Sequence, residues 1–271
     1  MRRLARKILR TVANYDPTYY DMFEDRNETF FGQIYLHWIR RHLGDARIGP
    51  PAQILDVGCQ AGRLTIPLAQ AGFDMIGIDT SSFALRRARH HADQVGVSVA
   101  WHRADLLTFL ARDSTPMFDA IVCAEVLYQQ QAYRTMLRAL ADALRPGGLL
   151  FVSHRSQFYY LVEALRHRNE ATAQQVIASR EGWFAGPWPE AGYYNWQTED
   201  ELRALYQTCG LDWIAVYPID RLAWLSGMSP STLSEPQREQ WLARELETNG
   251  LPATFGRYAL AVTARPLGEA R

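Results

Sequence analysis

Between residues 53 and 153, short apolar runs alternate with helical stretches, and this rhythm leaves few folds open. Strands are predicted at Gln53–Val57, Asp74–Asp79, 98–103, 118–124 and 149–153, with helices between them at 64–71, 83–94, Leu106–Leu110 and 132–144. Strand and helix in strict alternation predict a parallel sheet covered by helices on both faces. Arg145-Pro146-Gly147-Gly148 is expected to stop the last of these helices. Before this block, residues 19–43 carry a helical apolar pattern closed by "GDARIGPP". After it the rhythm breaks. A helix is expected over 158–168, with a pattern that can continue past Thr172, followed by the aromatic stretch "EGWFAGPWPEAGYYNW". A helix then opens at Thr198 with Glu201 as its capping-box partner. Two more strands read at 211–217 and 258–263, separated by an insertion with a helix over 236–247. The resulting organisation is a helical N-terminal cap over about 1–50 and a main α/β domain over 51–271, with insertions at about 156–197 and 219–255.

At 271 residues and 48% hydrophobic, the chain can bury one large core. A formal net charge of zero gives no whole-chain attraction to nucleic acid or to anionic membrane. Cys59, Cys123 and Cys209 are far apart and form no C-x-x-C, so neither a disulfide framework nor a bound metal is expected, and a reducing, cytoplasmic setting fits. No apolar run is long enough to span a bilayer, and the first residues lack the apolar core of a signal peptide. "MRRLARKILRTV" reads as a short basic amphipathic helix. It either packs one face on the domain or makes weak contact with anionic lipid, and a transit sequence would share its pattern.

The chemistry gathers where strands end. In "QILDVGCQAGRLTIPLA" the first strand runs into Asp56, Gly58 and Gly62. Ligands of open α/β sheets bind beyond the carboxyl ends of the strands. The glycines let the chain turn tightly there. The spacing is Asp56-x-Gly58-x-x-x-Gly62, not the G-x-G-x-x-G of a pyrophosphate cradle. An anionic Asp56 would repel a pyrophosphate and suit a ligand carrying an ammonium or sulfonium. "MIGIDTS" ends the next strand with Asp79, at the distance where acids accept from ribose hydroxyls. "WHRADLL" ends a third with Asp105, placed to accept from an adenine amino group. One aspartate after a strand is usually a helix N-cap. Three on consecutive strands point to a nucleoside.

With "IGIDTS", "RADLL", "FDAIVCAEVLY" and "LRPGGLLFVS" added to "ILDVGCQAG", residues 53–153 resemble the class I S-adenosylmethionine-dependent methyltransferases, small-molecule enzymes of the UbiE/UbiG type. The resemblance implies a Rossmann-like, doubly wound seven-stranded sheet with its last strand antiparallel. It implies S-adenosylmethionine as cofactor, leaving as S-adenosylhomocysteine. By the same resemblance Asp56, Gly58 and Gly62 hold the methionine end and Asp79 the ribose, with Cys59, Gln60 and Thr80 also binding the cofactor. Asp105 and Leu106 flank the adenine, and Ala124 lies near the reacting methyl. Gln60 stands where many members carry glycine.

The acceptor half is less defined. Methyl transfer is an in-line displacement that needs alignment and exclusion of water before it needs a base. Tyr15, Tyr19 and Tyr20 can cover the site from the N-terminal segment, or pack on the sheet. Glu125 and Tyr128, candidate catalytic residues, follow the fourth strand, where many quinone and phenol methyltransferases carry a histidine that this chain lacks. His154 is the histidine placed to act as a base, with Arg155 for an anionic group and Tyr159 as lining; a structural, hydrogen-bonded histidine is the alternative. Trp188, Tyr193 and Tyr194 belong to an aromatic stretch that makes either a lid over a flat acceptor or a satellite core. The adjacent pair His90-His91 is expected on the surface. The expected function is methylation of a small aromatic or apolar acceptor, oxygen being preferred over nitrogen or carbon. Methylation of RNA or protein, and a non-catalytic cofactor-binding partner protein, are the competing readings.

Overall fold

The computed structural model describes residues 21–111, 117–185, 189, 191–247 and 252–268. Tyr15, Tyr19, Tyr20, Trp188 and the basic N-terminal stretch lie outside the described residues. Seven strands form one sheet: β1 (Gln53–Val57), β2 (Asp74–Asp79), β3 (Ala100–Arg103), β4 (Phe118–Cys123), β5 (Leu144–His154), β8 (Asp212–Ile219) and β9 (Tyr258–Ala264). Their order is β3-β2-β1-β4-β5-β9-β8. Strands β1 to β5 pair in parallel, and β9 enters antiparallel between β5 and β8. The doubly wound sheet with an antiparallel last strand is therefore present as expected.

Side-chain alternation along each strand divides the core in two. Ile54, Ala120, Val122, Leu149, Phe151, Leu260 and Val262 face one cluster, under α1 (Arg26–Asp45) and α2 (Thr65–Gln70). Leu55, Val57, Ile121, Cys123, Leu150, Val152 and Ala261 face the other, under α5 (Tyr133–Asp142) and α8 (Glu199–Thr208). Apolar residues on both faces are what a doubly covered parallel sheet requires. Helix α1 is capped by Asp25, whose carboxylate accepts from the amides of Asn27 and Glu28. Its Trp38 stacks on Tyr217 of β8 at 3.7 Å between ring centres. Between them, α3 (Ser82–Val95) and α4 (Leu106–Leu110) close the β2 and β3 connections.

Several elements differ from the sequence reading. Strand β5 starts at Leu144, not 149. Pro146 and the glycines sit inside its bulged start, where the register against β4 shifts and the Gly147 amide donates to Arg265. The helix expected over 158–168 is α6 (Gln157–Arg166); the pattern past Thr172 forms a separate helix, α7 (Glu170–Ala178), because Arg168 takes a left-handed conformation (φ 52°) and Asn169 recaps the chain. The aromatic stretch forms a hairpin, β6 (Glu181–Phe184) with β7 (Gly192–Asn195). The insertion before β9 carries α9 (Leu222–Ser226) and α10 (Glu235–Glu247).

Candidate active site

The sheet's topological switch point lies between β1 and β4, and ligands of such sheets sit outside it at the carboxyl ends. A cavity of about 450 Å³ opens there, lined from β1 by Asp56 and Val57, from β2 by Ile78 and Asp79, and from the segment after β4 by Ala124, Glu125 and Val126. Gly58, Cys59, Gln60, Thr80, Asp105, Leu106 and Tyr128 complete the predicted residues found in its wall. Gly62 is not among the lining residues. Its φ of 92° shapes the turn, and a Cβ there would meet Ile66 and Trp101, so what the bare backbone serves is packing.

The turn after β1 is held by β2. The amides of Gly58 and Cys59 both donate to the Ile78 carbonyl, at 2.9 and 3.1 Å, and the Gln60 amide donates to Asp79 Oδ2 at 3.0 Å. These donors are spent inside the protein, so the three do not form a phosphate cradle. At Gly58 (φ 72°) a Cβ would run into Val126 of the neighbouring loop, so only glycine lets the two loops close side by side. Gln60 (φ 47°) and Glu125 (φ 61°) are left-handed without being glycine, and both line the cavity. Such backbone strain concentrates at functional sites. The Gln60 side chain ties two segments together. Its Oε1 accepts from the Met22 amide at 3.0 Å and fastens the segment before α1 to the cavity rim.

Four carboxylates reach the cavity. Burial pushes the Asp56 carboxyl up to about 7, although Thr65 Oγ1 donates to it at 2.5 Å. Asp79 is also raised by burial, against hydrogen bonds from the backbone of Ser81 and Gln60. Asp105 caps α4 through the Thr108 amide at 2.9 Å, and that bond lowers its pKa. The N-cap role and the cavity position coincide in one side chain.

Glu125 belongs to a buried triad that sequence reasoning missed. Arg63 Nη2 donates to Glu125 Oε1 at 2.7 Å, and Arg63 Nη1 pairs with Glu28 of α1. Burial opposes the charge on Glu125, but Arg63 outweighs it and holds the carboxyl below its ordinary value; Glu28, where burial wins, is raised. Gly32 permits the contact, since a Cβ there would press on Arg63 Cγ at 3.1 Å. Only the arginine's place just past the glycine turn hinted at a site role.

The structure does not bring His154 to the cavity. It is 1% exposed, its Nε2 meets the Tyr206 hydroxyl at 2.8 Å under α8, and burial pushes its pKa down to about 3. The side chain leaves the strand toward the face under α5 and α8, and the expected base is a neutral core histidine. His91, expected on the surface, is buried: it stacks on Phe23 at 4.3 Å and meets Asp21 at 3.1 Å. Asp21, Glu24 and His91 converge, but Arg87 pairs with both carboxylates. Arg155 and Tyr159 lie behind Tyr128, with the guanidinium 5.0 Å from the Tyr128 ring centre and 4.1 Å from that of Tyr159. Tyr193 and Tyr194 are also absent from the lining. Tyr193 donates to Glu181 at 2.8 Å, and Tyr194 packs with Phe184, Tyr160 and Tyr128. The aromatic hairpin is thus a packed cluster that backs the Tyr128 wall.

Comparison with known proteins agrees with this geometry. Residues 54–148 match the family model described as a methyltransferase domain. That stretch is a methyltransferase domain by this match. Within that family, the ubiquinone biosynthesis O-methyltransferase of Bordetella avium is 36% identical over 118 residues, covering 44% of this chain and 47% of that protein. The Dinoroseobacter shibae protein of the same name is 27% identical over 208 residues, covering 75% and 73%. The chain spans about half the length of the first of these relatives. Magnesium protoporphyrin IX methyltransferase from Synechocystis, solved with bound S-adenosylhomocysteine, superposes with a TM-score of 0.59 at 16% identity, covering 98% of this chain and all of that one. An N-methyltransferase from Bradyrhizobium japonicum gives 0.53 at 19%, covering 96% and 97%. At these identities the methyltransferase fold is what is shared. Among the described residues no helix is long and apolar enough to cross a membrane.

Proposed function

We propose that this methyltransferase domain binds S-adenosylmethionine in the switch-point cavity and methylates a small organic acceptor, at oxygen. The observation that carries the reading is the set of aspartates Asp56, Asp79 and Asp105 lining one cavity around a glycine turn whose Gly58, Cys59 and Gln60 amides are already engaged. The residues fit the cofactor. Asp56 and Asp79 are carboxylates whose charge burial opposes, which suits a cationic ligand and hydroxyl donors. At about 450 Å³ the cavity is of small-molecule size, for which roughly 300–1,000 Å³ is usual. When bound, S-adenosylmethionine supplies an electrophilic methyl group. Asp56 would hold the ammonium of its methionine end, Asp79 the ribose and Asp105 with Leu106 the adenine. The Ala124–Tyr128 segment would align the acceptor and exclude water, with Glu125 kept anionic by Arg63 as a fixed acceptor for its hydroxyl proton. The relatives named as O-methyltransferases support oxygen as the methylated atom.

Calorimetric titration with S-adenosylmethionine, S-adenosylhomocysteine and NADH tests the cofactor. Binding of the adenosyl ligands without NADH is expected; NADH binding alone would overturn the reading. A pH profile tests Asp56. With its pKa raised to about 7 in the free protein, the carboxylate must lose a proton before it can pair with an ammonium. Affinity for S-adenosylhomocysteine is therefore expected to level off above neutrality and to fall by up to roughly tenfold per pH unit below about 7. The fall should flatten in Asp56→Asn. A profile that is flat in the unmodified protein would separate Asp56 from the ammonium.

A further inference from the structure

The other buried arginines among the described residues face acids. Arg63 pairs with Glu28 and Glu125, Arg238 reaches Glu235 at 3.5 Å, and Arg221 feels the charge of Glu245. Arg155 is 8% exposed and has no carboxylate within ion-pair distance among the described residues. Its guanidinium is instead walled by the rings of Tyr128, Tyr159 and Tyr258, at 5.0, 4.1 and 4.4 Å. Its Nη2 donates to the Tyr258 hydroxyl at 2.8 Å, and its buried Nε has no hydrogen-bond partner there. Nε and Nη2 form the edge of a guanidinium that a carboxylate takes with two parallel bonds. Tyrosine rings attract a cation but do not neutralise it. A charge so removed from water calls for a counter-charge. Tyr258 also hydrogen-bonds Glu125, whose own charge is engaged by Arg63, so the tyrosine relays little of it to Arg155. Tyr128 is the partition: one side of it lines the cavity and its ring faces Arg155.

We propose that Arg155 receives a carboxylate of the methyl acceptor, which reaches the unpartnered Nε edge from the cavity by displacing the Tyr128 ring. The acceptor is then a small organic acid that presents its carboxylate to Arg155 and its nucleophilic atom to the cavity. This rests on the methyl-transfer reading and names its substrate class.

The test titrates benzoate, phenylacetate and indole-3-carboxylate, each beside its neutral amide, into the full chain, both free and saturated with S-adenosylhomocysteine. At least one acid is expected to bind roughly tenfold or more tighter than its amide. Arg155→Met should bring that ratio to about one, and Arg155→Lys should leave it intermediate, because an ammonium keeps the charge and loses the planar edge. Unchanged S-adenosylhomocysteine affinity in a variant shows that its cavity is intact, and the lysine variant serves where the methionine variant fails to fold. No acid favoured over its amide, or a preference that survives Arg155→Met, overturns the proposal. Failure of S-adenosylhomocysteine to bind would overturn the methyl-transfer reading instead, and the acid-to-amide ratio of the free protein would still decide whether Arg155 is a carboxylate receptor.

Discussion

Asp79→Ala is expected to weaken S-adenosylhomocysteine binding by roughly 100-fold or more. Asp79 closes β2, and each of its oxygens already accepts one backbone amide: Oδ1 from Ser81 at 2.7 Å and Oδ2 from Gln60 at 3.0 Å. A carboxylate oxygen can accept twice. The remaining capacity, at a cavity wall where burial has already raised the pKa, is available to a pair of ribose hydroxyls. Hydrogen bonds to a charged acceptor contribute about 1.5–3 kcal/mol each, and 1.4 kcal/mol is tenfold in affinity, so two of them account for the predicted loss at the low end of that range. Alanine also frees the Gln60 amide and loosens a turn held at φ 47°. Asp79→Asn separates the effects, since it keeps the shape and loses the charge. Calorimetry on both variants, with thermal unfolding beside it, distinguishes lost ligand contacts from a disordered turn. Unchanged affinity in Asp79→Ala would move the ribose elsewhere.

Asp79 was legible in the sequence because a strand-ending acid marks itself twice, by the apolar run before it and by its place at the sheet's carboxyl edge. The same reasoning found Asp56 and Asp105. It failed for His154, because reaching the end of a strand does not decide which face a side chain takes, and this one enters the core under α8. Gly62 and the aromatic hairpin show a related limit. A bare backbone or a cluster of rings answers equally well to a ligand and to neighbours in the same chain. Here Ile66 and Trp101 lie against the one, and Trp196 and Tyr160 pack inside the other. The Arg63 triad was invisible for another reason. Its members, at positions 28, 63 and 125, belong to three separate elements, and no local spacing connects them.

Arg63→Met is expected to destabilise the protein by about 3–5 kcal/mol, because it strands two buried carboxylates that share one guanidinium. Glu28 and Glu125 are both nearly out of water, and each carboxylate opposes ionisation of the other. Without the arginine both must take up protons or pull water into the packing between α1 and the segment after β4. The sign of the pH dependence then changes. Glu125, whose carboxyl is held low by Arg63, contributes stability above the ordinary carboxylate range, and that contribution is lost as pH falls through its depressed value. In Arg63→Met both carboxyls are raised instead, so stability should improve on acidification toward about pH 5. Urea unfolding at about pH 5 and about pH 8 reads both effects. The triple variant Glu28→Gln, Arg63→Met, Glu125→Gln should recover most of the stability at the higher pH, because a buried triad costs nearly as much in desolvation as it returns in attraction. Its acceptor turnover should not recover with it, since Glu125 is the group proposed to receive the hydroxyl proton. Recovery of both would make the triad a purely structural clasp between the N-terminal helix and the sheet. Recovery of stability alone leaves a clasp that also fixes a charge at the cavity wall, and explains why the fold keeps three buried charges where apolar packing would serve stability as well.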